Sequence, residues 1–267
     1  MDGKPILVTG AAGKIARYLR PRLAERYGRL RLSDRVDPGP LGPTEESQLC
    51  ELADLDAVGK AVEGCAAVVH LGACIVEEQW EVIHQSNVVG AYNVLESARR
   101  HGVKRVVLAS SVHAVGYHPA TARLDAGAAA LPDSFYGVSK VFAEGLACLY
   151  AEKAGMDIAC LRIGSVLPEP TEPRHLSTWL SYPDTARLVM ACLDAPKLGY
   201  TIMYGCSANT RSWWDNSGAP HVAYRPKDNA EDYAAKILND GDKRDPKSPE
   251  TIFQGGFFCA PTYVKWG

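Results

Sequence analysis

Short apolar runs alternate along the first two thirds of the chain with longer stretches in which apolar residues recur every three or four positions. Pro5-Ile6-Leu7-Val8-Thr9 is the first run, and Ile15, Tyr18, Leu19 and Leu23 follow it at helical spacing, which predicts a strand and then a helix. Pro21 falls inside that helix, where it either kinks it or shortens its regular part. Leu30-Arg31-Leu32-Ser33 predicts a second strand, Gln48-Leu49-Cys50 a short third, Ala66 to His70 a fourth, Val103 to Ala109 a fifth and Ile158 to Ile163 a sixth. Trp80 to Arg100 and the stretch from Ser134 to Ala154 read as helices. Strands alternating with helices in this way predict an α/β fold with a parallel sheet sandwiched between helix layers. After Ser165 the rhythm fades into a loop carrying Pro168, Pro170 and Pro173. Beyond it, Asp184 to Leu193 and Ala230 to Leu238 predict helices and Tyr200 to Tyr204 a strand.

The predicted strands end in residues that carry chemistry. Thr9-Gly10-Ala11-Ala12-Gly13 follows the first one, and the spacing Gly10-x-x-Gly13-x-x-Ala16 lets the backbone approach a pyrophosphate at a helix N-terminus. The second ends at Asp34, where a carboxylate accepts hydrogen bonds from an adenosine ribose and repels a 2'-phosphate, favouring NAD over NADP. Arg35 beside it tempers that preference, and an ordinary turn residue is the alternative reading of Asp34. Leu71-Gly72-Ala73 leaves the fourth strand with little side-chain bulk, as a loop passing a cofactor needs. The fifth delivers Ser110-Ser111 to the sheet edge at which doubly wound folds bind ligands. In Tyr136-Gly137-Val138-Ser139-Lys140 a spacing of four puts Tyr136 and Lys140 on one helical face, where an ammonium stabilises a phenolate and lowers the tyrosine's pKa. Such pairs also recur on solvated helices, so this one gains weight only together with Ser111 and the glycine turn.

Composition narrows the partners. Charged residues make up 22% and hydrophobic ones 46%, and the net charge of -2 favours neither nucleic acid nor an anionic membrane. Nor does any apolar stretch approach the roughly 18 residues of a membrane span. Met1-Asp2-Gly3-Lys4 runs directly into a strand without a secretory signal, and the eight cysteines form no CxxC pair, so the chain is expected to be cytoplasmic with buried thiols. His70, His84, His101, His118, His175 and His221 lack metal-ligand spacing, and no metal is expected.

Ser111, Tyr136 and Lys140 downstream of a dinucleotide turn resemble the extended short-chain dehydrogenase/reductase superfamily. The second half narrows the likeness. Arg174 ahead of Leu176-Ser177-Thr178-Trp179, then Ser207-Ala208-Asn209, Trp213-Trp214-Asp215-Asn216-Ser217, Pro226-Lys227-Asp228-Asn229 and Phe253-Gln254-Gly255-Gly256 resemble the uronate dehydrogenase family over nearly the whole chain. The resemblance implies a Rossmann-type doubly wound parallel sheet with helices on both faces, a dinucleotide-binding domain over 1-165, and a small C-terminal substrate lobe over 166-267 packed as one unit with it. It implies NAD as cofactor and a sugar acid, galacturonate or glucuronate, oxidised at its anomeric carbon to an aldarolactone. Tyr136 would be the base, Lys140 its partner, Ser111 the holder of the substrate oxygen, and Asn87 a support for the lysine through water. Cofactor contacts would come from Gly10, Gly13, Lys14, Ile15, Asp34, Glu51, Leu52, Leu71, Gly72, Tyr136, Lys140 and Ile163. Substrate contacts would come from Ser111, His113, Tyr136, Ser165 and Arg174, the last two on the sugar carboxylate; a solvated loop arginine is the plainer reading of Arg174.

Departures and rivals remain. The family pattern implies an asparagine where Val112 stands and a serine where Ile75 stands, both beside the substrate. Trp213-Trp214 reads as a packed corner or subunit contact more readily than as a sugar platform. Two-fold association through the helices at 80-100 and 134-154 is implied by analogy, giving a homo-oligomer. The alternatives are a dehydrogenase of a neutral or phosphorylated aldose, a nucleotide-sugar epimerase, and a non-catalytic NAD sensor.

Overall fold

The computed structural model describes residues 3–239 and 241–266. Seven strands form one sheet in the order β3-β2-β1-β4-β5-β6-β9: β1 (Ile6–Thr9), β2 (Leu30–Asp34), β3 (Glu45–Leu49), β4 (Ala67–His70), β5 (Arg105–Ser111), β6 (Asp157–Ile163) and β9 (Tyr200–Gly205). Every neighbouring pair in it is parallel. Two short strands, β7 (Ser165–Val166) and β8 (Trp179–Leu180), pair separately. The helices are α1 (Lys14–Tyr27), α2 (Leu55–Val62), α3 (Trp80–Ile83), α4 (Gly90–Arg100), α5 (Phe135–Ala154), α6 (His175–Thr178) and α7 (Tyr182–Asp194).

Parallel strands are buried on both faces, so each must supply apolar side chains in both directions. In β1, Ile6 and Val8 enter one core while Leu7 enters the other, and in β5 Val107 faces the first core while Val106 and Leu108 face the second. The first core is closed by α1 and α7, the second by α2, α4 and α5. The chain builds outward from β1 to β3 and then crosses back to β4, so the crevice between β1 and β4 opens at the carboxyl edge.

Pro21 does not divide α1, which runs through it with the proline on an exposed face. β3 begins earlier than Gln48 because it is an edge strand held by β2 alone; Glu46 meets Arg29 and Arg31 instead of a core, and such a strand shows no apolar run. The stretch from Trp80 to Arg100 is helical throughout but contains a π-helical turn, His84–Val89, at Asn87. Ala230 to Leu238 splits into a 3-10 turn, Ala230–Tyr233, and one short α turn. Residues past 165 supply β9 and α7, so the large sheet crosses the boundary between the two halves. No helix among the described residues is long and apolar enough to cross a membrane.

Candidate active site

The parallel register brings Thr9 beside Ser33 and His70, His70 beside Leu108, and Ser111 beside Ile163, so residues far apart in sequence share one edge. Gly10 has φ +67 and lies so close to the next loop that a Cβ there would stand 2.7 Å from the Gly72 nitrogen. Gly13 caps α1, whose first turn carries no acidic residue, leaving its N–H groups and dipole open to an anion. Asp34 Oδ2 accepts from the Ala12 backbone N–H at 3.0 Å, which holds the carboxylate over the glycine turn. A cradle that only glycine can form, a helix N-terminus without acid and a carboxylate at the end of β2 fit the pyrophosphate and ribose of NAD. Lys14 is exposed at the start of α1, while Ile15, Leu71 and Ile163 pack against the first core. Glu51 is exposed; Leu52 packs between the Gly72 loop and Gly90, where an added Cβ at either glycine would meet it at 2.9 Å.

Tyr136 and Lys140 lie on the buried face of α5 with Ser139, Ala143, Glu144 and Ala147. Burial pushes the Tyr136 phenol up to about 12 and a hydrogen bond with Ser111 pulls it the other way, while Asp133 and Cys74 raise it further. Burial also brings the Lys140 ammonium down to about 8, against an opposing pull from Glu144. The phenol is thus shifted upward by burial, where the helical pairing with Lys140 led to the expectation of a lowered one. Nζ donates to the Ala109 carbonyl at 2.9 Å and stands 5.4 Å from the ring centroid. Behind it Glu144 accepts from Ser110 Oγ at 2.6 Å and pairs with Arg162 at 2.9 Å, tying α5 to β5 and β6.

The direct hydrogen bonds of Asn87 go to Cys74, Ser86 and Ser139. Its Nδ2 donates to the Cys74 carbonyl at 2.9 Å and to Ser139 Oγ at 3.0 Å, and its Oδ1 accepts from Cys74 N–H at 2.8 Å. The π turn aims this side chain inward, where it braces the Cys74 loop against α5.

Two carboxylates that sequence reasoning passed over organise the rest. Glu77, 4% exposed, accepts from the Phe135 and Tyr136 backbone N–H groups at 3.0 and 2.9 Å, the first free donors of α5. Asp133 Oδ2 accepts from His113 Nδ1 at 2.7 Å and its Oδ1 accepts from Ser134 Oγ at 2.9 Å. His113 stacks on Phe258 with centroids 3.8 Å apart and meets the Tyr136 ring edge-on at 5.8 Å. Asp133 stands next to the N-cap Ser134, a local signal that marks a helix start but not a partner for His113.

Arg174 and Ser165 come together as expected, with Nη1 donating to Ser165 Oγ at 3.3 Å. The Gln254 carbonyl accepts from Nε at 2.9 Å and from Nη2 at 2.6 Å. Of the five guanidinium N–H groups these bonds leave one on each Nη, two donors for a carboxylate. Arg174 is half-buried, and that burial lowers its pKa. Val112 is buried in one apolar cluster with Tyr204, Cys206 and Trp214. Ile75 is 67% exposed. Trp214 is buried and stacked on Tyr204 at 5.4 Å, which makes the tryptophan pair a packed corner.

A dinucleotide crevice at the β1/β4 switch, with Ser111, Tyr136 and Lys140 beside it, defines an NAD-dependent oxidoreductase acting on a CH-OH group. Residues 6–194 match the model of the NAD dependent epimerase/dehydratase family. The chain belongs to that family and, within it, to the uronate dehydrogenases. It is 47% identical over 255 residues, 96% of each chain, to uronate dehydrogenase of Agrobacterium fabrum. A solved uronate dehydrogenase from Agrobacterium tumefaciens, a tyrosine-to-alanine mutant complexed with NAD, is 46% identical with a TM-score of 0.94, covering 98% of this chain and 99% of that one. A glucuronic acid dehydrogenase from Chromohalobacter salexigens is 44% identical, TM-score 0.94, over 97% and 98% of the two chains.

Proposed function

We propose that this chain oxidises the anomeric C1 hydroxyl of a hexuronate, galacturonate or glucuronate, to the aldarolactone with NAD, using Tyr136 as the base. The observation that carries the uronate reading is Arg174, half-buried beside Ser165, whose two remaining N–H groups, one on each Nη, offer a carboxylate a fork. A carboxylate fills that fork; a neutral hydroxymethyl group leaves it unmet. Gly10, Gly13, Asp34 and Gly72 hold NAD, which accepts hydride from C1 when bound.

The protein's own part is proton transfer and positioning. Ser111 donates to the C1 oxygen, and Tyr136 takes the hydroxyl proton as C1 becomes a carbonyl carbon. A phenol at about 12 is a poor base precursor near neutral pH, so a nearby cation must stabilise the phenolate. Lys140 holds that position: one of its three donors is engaged by Ala109, and two are left for the phenolate and a ribose hydroxyl. His113 meets a sugar hydroxyl through Nε2, its Nδ1 being engaged by Asp133. Residues 166–267 act as the substrate lobe, packed as one unit with the first 165.

Exposed Tyr92, Phe142 and Leu149 on α4 and α5 support self-association through those helices, which light scattering tests. The unpaired cysteines suit a reducing cytoplasm. Exposed Ile75, apolar where a polar residue is implied, favours a second reading in which a neutral or phosphorylated aldose is oxidised at the same carbon. An NADH-absorbance screen over galacturonate, glucuronate, glucose, xylose and glucose 6-phosphate separates the two. Turnover highest on the uronates is the expected result, and a neutral sugar outpacing both overturns it.

A further inference from the structure

Two motifs that the reaction leaves unused, Trp213-Trp214-Asp215-Asn216 and Phe253-Gln254-Gly255-Gly256, meet behind Arg174. We propose that Gln254 is the positioning residue that sets the substrate-facing edge of Arg174 and thereby determines selectivity for an acid substrate. This rests on the reading that Arg174 grips the substrate carboxylate.

Gln254 is fully buried, and every polar atom of its side chain is engaged. Its Oε1 accepts from Trp214 Nε1 at 2.8 Å, and its Nε2 donates to the Pro119 carbonyl at 3.1 Å and the Ala122 carbonyl at 2.8 Å. Its backbone N–H donates to the His118 carbonyl at 2.9 Å. With the residue held at both ends, its own carbonyl has one direction, and that carbonyl receives Nε and Nη2 of Arg174. Gly256, at φ +65, closes the other side: a Cβ there would stand 2.7 Å from Arg174 Nε. The guanidinium is therefore pressed on bare backbone and gripped by one carbonyl, which fixes its plane and the two N–H groups it presents.

An arginine on a long flexible stem otherwise loses rotamer entropy each time it binds, and ordering it beforehand removes that loss. Trp214, which holds Gln254, is itself stacked on Tyr204 with rings 5° from parallel. A rigid line thus runs from the core through Tyr204, Trp214 and Gln254 to the edge of Arg174. Because that line touches neither the dinucleotide crevice nor Tyr136, its loss acts on uronate binding and spares the chemistry.

Steady-state kinetics with galacturonate and NAD on wild type, Gln254→Ala, Trp214→Phe and Arg174→Ala test this. Gln254→Ala keeps the backbone carbonyl but frees the segment that aims it at Arg174, and is expected to raise the galacturonate KM about 10- to 100-fold, with kcat at saturation and the KM for NAD changed less than about threefold. Trp214→Phe keeps an aromatic ring against Tyr204 while losing the Nε1–H donor and part of the indole's bulk, and raises the same KM about three- to tenfold. That variant decides the matter alone if Gln254→Ala does not fold. In the double variant with Arg174→Ala, Trp214→Phe adds nothing further. An unchanged galacturonate KM in folded variants, or a parallel loss in kcat and NAD affinity, overturns the assignment. If Arg174→Ala raises the KM while both other variants leave it alone, only the positioning role falls. If Arg174→Ala itself leaves the KM unchanged, the carboxylate grip falls, and this inference with it.

Discussion

Tyr136 and Lys140 hold the least comfortable positions in the molecule: two ionisable groups buried on one helix face, the phenol pushed up to about 12 and the ammonium down to about 8. Each is held in its neutral direction by desolvation, and the proposed proton transfer needs both in the charged one. Tyr136→Phe keeps the ring and its packing while removing the hydroxyl, so kcat should fall by about 10² to 10⁴ with NAD affinity, read by fluorescence titration, unchanged. Turnover near the wild-type rate would remove Tyr136 from the mechanism. The lysine has a consequence for stability. Its folded value of about 8 lies below the ordinary 10.5, so between those values the unfolded chain binds a proton that the folded chain does not, and stability rises with pH across that window. Below about pH 8 the full cost of a buried ammonium is present. In Lys140→Met that contribution is gone, and the difference in Tm between variant and wild type should shrink steadily from pH 8 to 10.5. A difference independent of pH would place the Lys140 proton elsewhere.

At the scale of elements, α5 is aimed by its N-terminus. Ser134 Oγ accepts from the Gly137 N–H at 3.0 Å, and the two donors ahead of it go to Glu77, which arrives from a loop before α3. One carboxylate thus satisfies two backbone groups and faces the positive end of a helix dipole. The π turn at Asn87 does similar work from the other side by fastening the Cys74 loop to Ser139. Glu77→Gln keeps one acceptor and turns an amide N–H towards a backbone N–H. It should cost about 1 to 3 kcal/mol in urea unfolding and lower kcat through a misplaced Tyr136. Retention of both stability and kcat would make Glu77 a bystander. Neither brace shows in the sequence as more than an acid in a loop and an asparagine in a helix. Their partners are set by the crossing of chain segments, which no local pattern encodes.

Across the whole molecule, the sheet acts as a ruler: parallel register carries Gly10, Asp34, Gly72, Ser111 and Ile163 to one edge. Asp34→Ala should weaken NAD and relax discrimination against NADP, since the ribose acceptor and the charge that repels a 2'-phosphate disappear together. An unchanged NAD/NADP ratio of kcat/KM would put the preference in other residues. This edge was legible from the chain alone because short continuous apolar runs, glycine spacing and an i, i+4 pair are local signals with local physical causes. The same signals placed six of the seven strands of the sheet within a few residues and blurred the seventh, an edge strand whose partners are charges. Ser165 and Arg174 could be named from the chain, but not what orients them. Gln254 lies far along the chain from Arg174, and His113 is held by an aspartate whose sequence position marks only a helix start. Sequence by itself determined the layers, the glycine turn of the cofactor edge and the shared helix face of Tyr136 and Lys140, because each depends on neighbours a few residues apart. Tertiary structure alone decided which buried groups face one another: that Lys140 points to Ala109, that Val112 turns into the core, and that a carbonyl from the C-terminal segment grips the arginine. Those pairings depend on how distant segments pack, and burial then sets the charge, direction and freedom of every group they enclose.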